Sequence, residues 1–472
     1  MIRSDHNSPI EIVIFGGTGD LAQTKLLPAL LDLYIQKELP DQFCIIGLSR
    51  KELTDEAYRE YAKESFITKG HDHSEEILNE FCKHLRYVSG SFDTAAAYEK
   101  IKNALIKYDT EVGQCTNKLF YLAVPPQHYN VIFDALHESD LMALCDDQSW
   151  SRLLVEKPFG KDLTTALALE KKLCSLYDDD QIYRIDHYLA KDAIENIIAL
   201  RFVNGVLADS WNGKSIESIR INLLETKDVS NRGAFYDGIG TLRDVGQNHM
   251  LQLYALFAMH PGDIHTAAAI REARAVALEN LAPETVDTLV RARYSGYEHT
   301  VGVEPDSKTE TYFTFSFTSS APEWQGTKFI FEAGKAFDRN VNEAIITFRP
   351  LNQCNCGASD SSHEHRNVLT IQFAPIQHIS LSMWTKKPGF VFELQEQELV
   401  LVSEKTENSY SPEAYERVLF DCIAGDQTRF VSSREVEASW RFITPILEQF
   451  AHIPLLEYEP GSSGPVKQST SN

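Results

Sequence analysis

The sequence predicts two architectures in series. An α/β domain built on a parallel sheet is expected over residues 1–185, and a larger β+α domain with a mainly antiparallel sheet over 186–457; a short polar tail, 458–472, is expected to be disordered. Three observations carry this. Short apolar runs alternate with helical patterns up to about residue 185. Beyond it, extended runs rich in Thr, Ile, Val, Tyr and Phe follow one another across polar or Pro/Gly turns. The first strand-like run opens straight into a glycine-rich turn.

Residues 12–15, 43–48, 118–124 and 153–155 are apolar and β-branched enough to be strands covered on both faces. The stretches LLPALLDLYIQ, TDEAYREYAKESF and YNVIFDALHES between them carry helical spacing. In the second part, residues 194–203, 248–259, 412–424 and 433–450 read as helices. The strand-like runs there are IESIRINLLET, DTLVRARYSGY, TETYFTFSFT, KFIFEAG, EAIITFRP, VLTIQFAP and HISLSMWTK. No internal repeat of fixed period is present.

Composition narrows the partners. Asp and Glu number 68 against 45 Lys and Arg, a net charge of −23. Such a body repels nucleic-acid backbones and anionic lipid, so neither nucleic acid nor a membrane is an expected partner. No apolar run reaches the 18 or so residues of a membrane span, and the N-terminal stretch reads as a first strand rather than a signal-peptide core. The eight cysteines are scattered along the chain, which fits reduced thiols in a cytoplasmic protein.

The run EIVIF leads into Gly16-Gly17-Thr18-Gly19-Asp20-Leu21-Ala22, and a helical pattern follows. Gly17, Gly19 and Ala22 fit G-x-G-x-x-G/A, where small residues let the backbone approach a pyrophosphate at a helix N-terminus. The first domain is therefore read as a Rossmann-like dinucleotide-binding domain. At the end of the second strand, where NAD-preferring sites carry an acid, stand Arg50 and Lys51. Arg50 suits a 2′-phosphate, which favours NADP.

Three polar stretches are candidates for chemistry. Glu156-Lys157-Pro158-Phe159-Gly160 directly follows a strand, where a doubly wound sheet carries its ligand crevice. In Arg184-Ile185-Asp186-His187-Tyr188-Leu189-Ala190-Lys191, a helix beginning at once would put His187 and Lys191 on one face, with Tyr188, as donors to a phosphate monoester. Asp186 is placed to accept from a histidine elsewhere. Arg243-Asp244-Val245-Gly246-Gln247-Asn248-His249 opens a helix, and a histidine with a carboxylate partner is the usual base for removing a hydroxyl proton. Each histidine alone reads as an ordinary core or surface residue; two such clusters beside a dinucleotide turn point to alcohol oxidation. Cys354-x-Cys356 with His363-x-His365 is not a common zinc spacing, and a polar hairpin loop is the preferred reading, with no metal expected.

The motifs GGTGDLAQTKLLP, EKPFG, RIDHYLAK, RGAFYDGIGTLRDVGQNH, GKAF, IQFAPIQ, MWTKKPG and SPEAYERVLFDCIAGDQTRF, in that order, resemble the glucose-6-phosphate dehydrogenase family from about residue 11 to 450. The resemblance implies a cytoplasmic oxidoreductase of the oxidative pentose phosphate pathway. It would oxidise glucose 6-phosphate at C1 to 6-phospho-D-glucono-1,5-lactone, passing a hydride to NADP. It would form a homodimer or homotetramer through the C-terminal sheet. The same resemblance implies that His249 is the general base and Asp186 the carboxylate that orients it. His187, Tyr188 and Lys191 would bind the 6-phosphate, and Lys157 would touch both substrate and cofactor. Glu225 and Asp244 would grip sugar hydroxyls, with Lys25 and Lys335 lining the substrate site. Gly16, Thr18, Gly19, Asp20 and Leu21 would form the cofactor turn, with Arg50 on the 2′-phosphate, and the bond before Pro158 is often cis in the family.

Some positions depart from the family pattern. Gln23 and Thr24 stand where basic residues are common, Ala190 replaces a glycine, and Arg339 precedes by one place the family's second basic residue, where Asn340 stands. Gly246 replaces a larger apolar residue, and extra backbone freedom there is expected to loosen His249. Two other readings stand beside the leading one: a non-catalytic nucleotide-binding regulator, which needs no general base, and a dehydrogenase for a different hexose 6-phosphate or a free hexose.

Overall fold

The computed structural model describes residues 8–68, 73–143, 149–260, 262, 265–351, 365–402 and 410–465. Six strands of the first part form a parallel sheet: β1 (Ile10–Phe15), β2 (Phe43–Ser49), β3 (Leu85–Ser89), β4 (Asn117–Leu122), β5 (Ser151–Val155) and β6 (Ile182–Ile185). Their order, β6-β5-β4-β1-β2-β3, reverses between β1 and β4. β1, β2, β4 and β6 are buried along their whole length, as a sheet covered by helices on both faces requires. Val13 and Phe15 enter one core, and Ile10, Ile12 and Ile14 the other.

The register decides where function can sit. Phe15 pairs with both Leu48 and Leu122, Leu122 with Val155, and Val155 with Arg184. The carboxyl ends of the strands are therefore level. Gly16, Lys157, Asp186 and Arg50 all follow that one edge within two residues of a strand end or paired position.

The second part contributes β7 (Ile216–Leu224), β8 (Asp287–Tyr294), β9 (Tyr312–Phe317), β10 (Lys328–Gly334), β11 (Val341–Phe348), β12 (Val368–Ala374), β13 (His378–Lys386), β14 (Leu394–Val402), β15 (Phe430–Val431) and β16 (Leu455–Tyr458). Nine of these form one sheet in the order β14-β13-β12-β11-β7-β10-β9-β8-β16. It is antiparallel except at β7–β10 and β8–β16, which are parallel. β15 instead joins β6 at the edge of the first sheet.

Several elements escape the sequence reading. β3 and β6 are short, β15 has two residues, and β14 is a solvent-facing edge strand without buried alternation. The tail is a correction. Residues 458–465 are ordered against the body: Tyr458 lies in β16, the Gly461 N–H donates to Ala336 O at 2.8 Å, and the Asp338 N–H to Ser462 O at 2.9 Å. Small, polar composition hid these main-chain bonds; residues 466–472 lie outside the described residues. The thiols need a correction as well. Cys44, Cys82, Cys174 and Cys422 are free, but Cys115 is disulfide-bonded.

Candidate active site

The glycine turn is a main-chain construction. Gly16 has φ +87°, and a Cβ there would press into the carbonyl oxygen of Ala123. The Gly19 N–H closes the turn by donating to Gly16 O at 2.8 Å. Tyr58 and Tyr61 hydroxyls donate to Gly17 O and Thr18 O, both at 3.1 Å, and Thr18 Oγ1 meets Ser49 Oγ at 2.8 Å. A helix starts at Asp20 and Leu21, so its first N–H groups stand beside the cradle. The cradle that a Cβ would fill and the adjoining helix start fit a dinucleotide pyrophosphate. Arg50 is exposed just past β2, with the Lys51 ammonium 5.5 Å from the Tyr61 ring.

Two segments of the site wind as π-helices: Ala22–Leu26, with Lys25, and Leu242–Met250, with Asp244 and His249. Five residues along an α-helix put side chains about 140° apart. The i→i+5 bonding of a π-helix instead stacks residue i+5 over residue i. Asp244 and His249 therefore come to one side. Gly246 also reads differently in place: a Cβ there would stand 2.7 Å from Leu242 Cδ1 and 2.9 Å from Phe313 Cζ. The larger residue is missing because Phe313 occupies its space, and the close packing contradicts the expected loosening.

His249 and Asp186 are both buried, with Nδ1 and Oδ1 2.5 Å apart. Burial pushes the Asp186 carboxyl up, but the neighbouring imidazole and its hydrogen bond outweigh this and hold it well below the usual range. A carboxylate only accepts, so Nδ1 donates and Nε2 carries the lone pair. The main-chain N–H of Tyr188 donates to the same oxygen at 3.0 Å. Burial also lowers the His249 pKa, more than Asp186 raises it, so the imidazole is a neutral base at pH 7. Nε2 lies 3.0 Å from Lys157 Nζ, which also donates to Asp244 O at 2.9 Å. The Lys157–Pro158 peptide is cis.

From Lys157 the polar chain runs on. Asp244 lies 3.7 Å from Lys157 Nζ through Oδ1 and 3.6 Å from Lys335 Nζ through Oδ2, and Lys335 donates to Glu225 at 2.9 Å. Burial raises the Asp244 pKa, but the two lysines bring it below the usual carboxylate value. The parallel pairing of β7 with β10 explains why Glu225 and Lys335 meet: Leu224 is level with Gly334, so the next residue of each strand emerges at the same end. An antiparallel pair would have sent them apart. The ordered tail holds the Lys335 turn, with the Tyr458 hydroxyl donating to Lys335 O at 2.6 Å.

Residues 187–190 form turns, and the helix begins only at Asp192, with Lys191 as its N-cap. The expected helical face is thus replaced by consecutive turns, closed by N–H donation from Leu189 to Asp186 O and from Lys191 to Tyr188 O. They still gather the donors. Tyr188 stacks on His249 with centroids 4.0 Å apart, and Lys191 Nζ lies 3.5 Å from the Tyr188 ring centre. Lys25, His187 and Lys191 line a cavity of about 490 Å³ with Tyr415. Burial lowers the pKa of Lys191 and carries that of His187 well below its usual value, with His249 adding to the latter.

The structure thus brings Asp186, His249, Lys157, Asp244, Lys335 and Glu225 into one chain, with His187, Tyr188 and Lys191 beside it. Arg339 is exposed. Cys354, Cys356 and His363 lie outside the described residues, and His365 packs on Trp384, with ring centroids 4.2 Å apart. Asp186, His187 and His249 bring ligand-capable atoms within 4.8 Å of one another, but Asp186 and His249 use theirs on each other.

Sequence reasoning gave no role to Glu156 and Tyr415. Glu156 is buried at the end of β5, accepts from the Tyr121 hydroxyl at 2.6 Å and also from Tyr415. Tyr415 lies nearly parallel to the His187 ring, centroids 6.2 Å apart. The available signal was a carboxylate directly after the apolar run of residues 153–155.

Family models for the glucose-6-phosphate dehydrogenase NAD binding domain and C-terminal domain match residues 13–196 and 198–471. The chain is 34% identical to glucose-6-phosphate 1-dehydrogenase of Chlamydia pneumoniae, over 97% of this chain and 93% of that one. It is 37% identical to the enzyme of that name from Aggregatibacter actinomycetemcomitans, over 96% and 94%. A solved glucose-6-phosphate dehydrogenase in complex with its substrate glucose 6-phosphate superposes with TM-score 0.89 at 31% identity, over 98% and 97% of the two chains. The Mycobacterium avium enzyme gives 0.83 at 30%, over 97% and 96%.

Proposed function

Because this chain belongs to the glucose-6-phosphate dehydrogenase family, we propose that the buried chain from Asp186 through His249 to Lys157 carries its reaction. The protein is an NADP-dependent oxidoreductase that converts glucose 6-phosphate to 6-phospho-D-glucono-1,5-lactone, the entry step of the oxidative pentose phosphate pathway. NADP supplies the hydride acceptor. His249 Nε2 takes the C1 hydroxyl proton as the C1 hydride departs. Asp186 holds the tautomer and stabilises the imidazolium that forms. Lys157 lies where the C1 oxygen must approach Nε2, so its ammonium keeps His249 neutral beforehand and faces the oxygen as negative charge develops.

His187, Tyr188, Lys191 and Lys25 take the 6-phosphate; Glu225, Asp244 and Lys335 take the sugar hydroxyls. Gly16, Thr18, Gly19, Asp20 and Leu21 hold the pyrophosphate, and Arg50 the 2′-phosphate. The division at 185/186 sets the cofactor turn apart from most of the substrate residues, although Lys25 and Lys157 of the first part serve the substrate and β15 crosses back to the first sheet. A homodimer or homotetramer through the second sheet is supported by β14, whose Leu399, Val400, Leu401 and Val402 are exposed in a row. No helix among the described residues is long and apolar enough to cross a membrane, and we assign the enzyme to the cytoplasm.

The observation that carries this reading is the 2.5 Å His249–Asp186 pair with Nε2 turned towards Lys157. The test follows nicotinamide reduction with glucose 6-phosphate or glucose, each with NADP and NAD. Reduction with glucose 6-phosphate and NADP alone supports all the assignments. Equal use of NAD removes the role of Arg50, and equal use of glucose removes the phosphate pocket.

A further inference from the structure

A second cationic cavity lies away from the substrate site. It measures about 480 Å³ and is lined by Arg243, Arg291, Lys308, Glu310, Leu447 and Phe450. The chain has an excess of acids, and its arginines elsewhere are commonly paired: Arg274, Arg417, Arg429 and Arg434 each lie within ion-pair distance of a carboxylate. The three cations here differ. Among the described residues, none of them is in an ion pair.

Instead, main-chain carbonyls fix the two guanidinium groups. Arg243 donates to Lys161 O at 3.1 Å and Ile239 O at 3.3 Å. Arg291 donates to Ile453 O at 3.2 Å and Lys308 O at 3.4 Å, lies 5.7 Å from the Phe450 ring centre, and has a buried Nε without a partner. Carbonyl contacts orient a guanidinium without neutralising it. The one carboxylate in the lining, Glu310, is committed elsewhere: its Oε1 accepts from the Leu242 N–H at 3.0 Å, under the Gly240 turn. Burial pushes its pKa up to about 7 against the pull of Arg243 and Arg291, which leaves it only a partial counter-charge to them.

We propose that this cavity is a second anion site, binding a small phosphorylated molecule through Arg243, Arg291 and Lys308. Its volume is that of an ordinary small-ligand pocket. Guanidinium groups match phosphate oxygens in pairs, and Leu447 and Phe450 offer an apolar wall to the body carrying the phosphate. The site differs from the catalytic phosphate pocket in every residue. It shares only the helix Leu242–Met250, where Arg243 immediately precedes Asp244.

The test titrates pyrophosphate calorimetrically into the full-length enzyme saturated with glucose 6-phosphate and NADPH. These fill the catalytic phosphate positions without turnover. One saturable equivalent per chain is expected, weakened about tenfold or more by Lys308→Glu and by Arg291→Leu. Lys308 is exposed, so the first variant keeps its fold. Absence of a saturable heat in the wild-type enzyme, or an unchanged affinity in both variants, overturns the site. A parallel titration with ATP separates the two sources of the phosphate chain. Tighter binding of ATP than of pyrophosphate supports a nucleoside body on the apolar wall; equal binding supports the bare chain.

Discussion

The dinucleotide turn and the reacting cluster lie along the same row of strand ends, yet they are made of different material. The turn is main chain: a positive φ at Gly16, N–H groups at a helix start, and tyrosine hydroxyls bracing carbonyls. The cluster is side chain: a carboxylate after β6, a lysine after β5, a histidine on a π-helix, and a glutamate and a lysine after two parallel strands. A main-chain site depends on residues adjacent in sequence. A side-chain cluster depends on register and winding across the whole molecule. Damage to the first is expected to appear in cofactor binding, and damage to the second in turnover and substrate binding.

The largest effect tests the cluster. His249→Ala is expected to lower kcat by about 10²–10⁴-fold, the usual range for a general base, while KM for glucose 6-phosphate stays within a few-fold. The wild-type pH profile checks the same residue. Burial holds the His249 pKa below 6.5, so kcat/KM should be flat at neutral pH and fall only as pH drops below 6.5. An acid limb at or above 6.5, or a KM effect as large as the kcat effect, breaks the assignment.

The next effect separates phosphate binding from chemistry. His187→Ala should raise KM for glucose 6-phosphate by about 10–100-fold, the worth of a hydrogen bond to a charged group, with kcat changed only a few-fold. His187 is held neutral by burial and by His249. A phosphate dianion beside it raises its pKa, so substrate binding should take up protons near neutral pH. Calorimetry in buffers of different ionisation enthalpy measures this. Loss of the uptake in the variant identifies His187 as its source, and uptake that persists assigns it to Lys191 or elsewhere.

Gly16→Ala probes the other region. The added Cβ meets the Ala123 carbonyl at a φ that L side chains rarely adopt, a strain of about 1–3 kcal/mol. KM for NADP should rise about tenfold, with the acid limb and the KM for glucose 6-phosphate unchanged. A shift of the pH profile in this variant would show that the two regions are not separable.

This contrast also explains what could be read from the sequence. The turn and the strand–helix alternation were legible because each is local. The residues themselves suggested a histidine base with a carboxylate, phosphate donors at His187, Tyr188 and Lys191, and a strand-end lysine, Lys157; the parts given to Glu225, Asp244, Lys335 and Lys25 came from family resemblance. What brings them together was not legible. The i→i+5 winding that puts Asp244 beside His249 has no periodic signature in nine residues. The parallel β7–β10 pair, which sets Glu225 against Lys335, sits in a sheet whose pattern reads as antiparallel. The His187–Lys191 segment looked helical because its spacing suits a helix, but Asp186 draws the chain into turns by accepting from the Tyr188 N–H.

The smallest effect concerns the link between the two kinds of construction. Tyr415 reaches from the helix Ala414–Ala424 to Glu156 at the end of β5, and its ring lies beside His187. Glu156 is followed directly by Lys157, so one buried carboxylate ties the proposed phosphate pocket to the strand end that supplies the lysine. Tyr415→Phe keeps the ring and removes only the hydroxyl. Glu156 retains the Tyr121 hydroxyl at 2.6 Å, so the fold should lose only about 1 kcal/mol. If the ring alone positions His187, KM for glucose 6-phosphate is unchanged. If the hydroxyl tether alone matters, KM rises a few-fold at constant kcat, and Tyr415→Leu, which removes ring and hydroxyl together, raises it no further. Equal effects of the two variants assign the role to the tether; an effect of leucine alone assigns it to the ring.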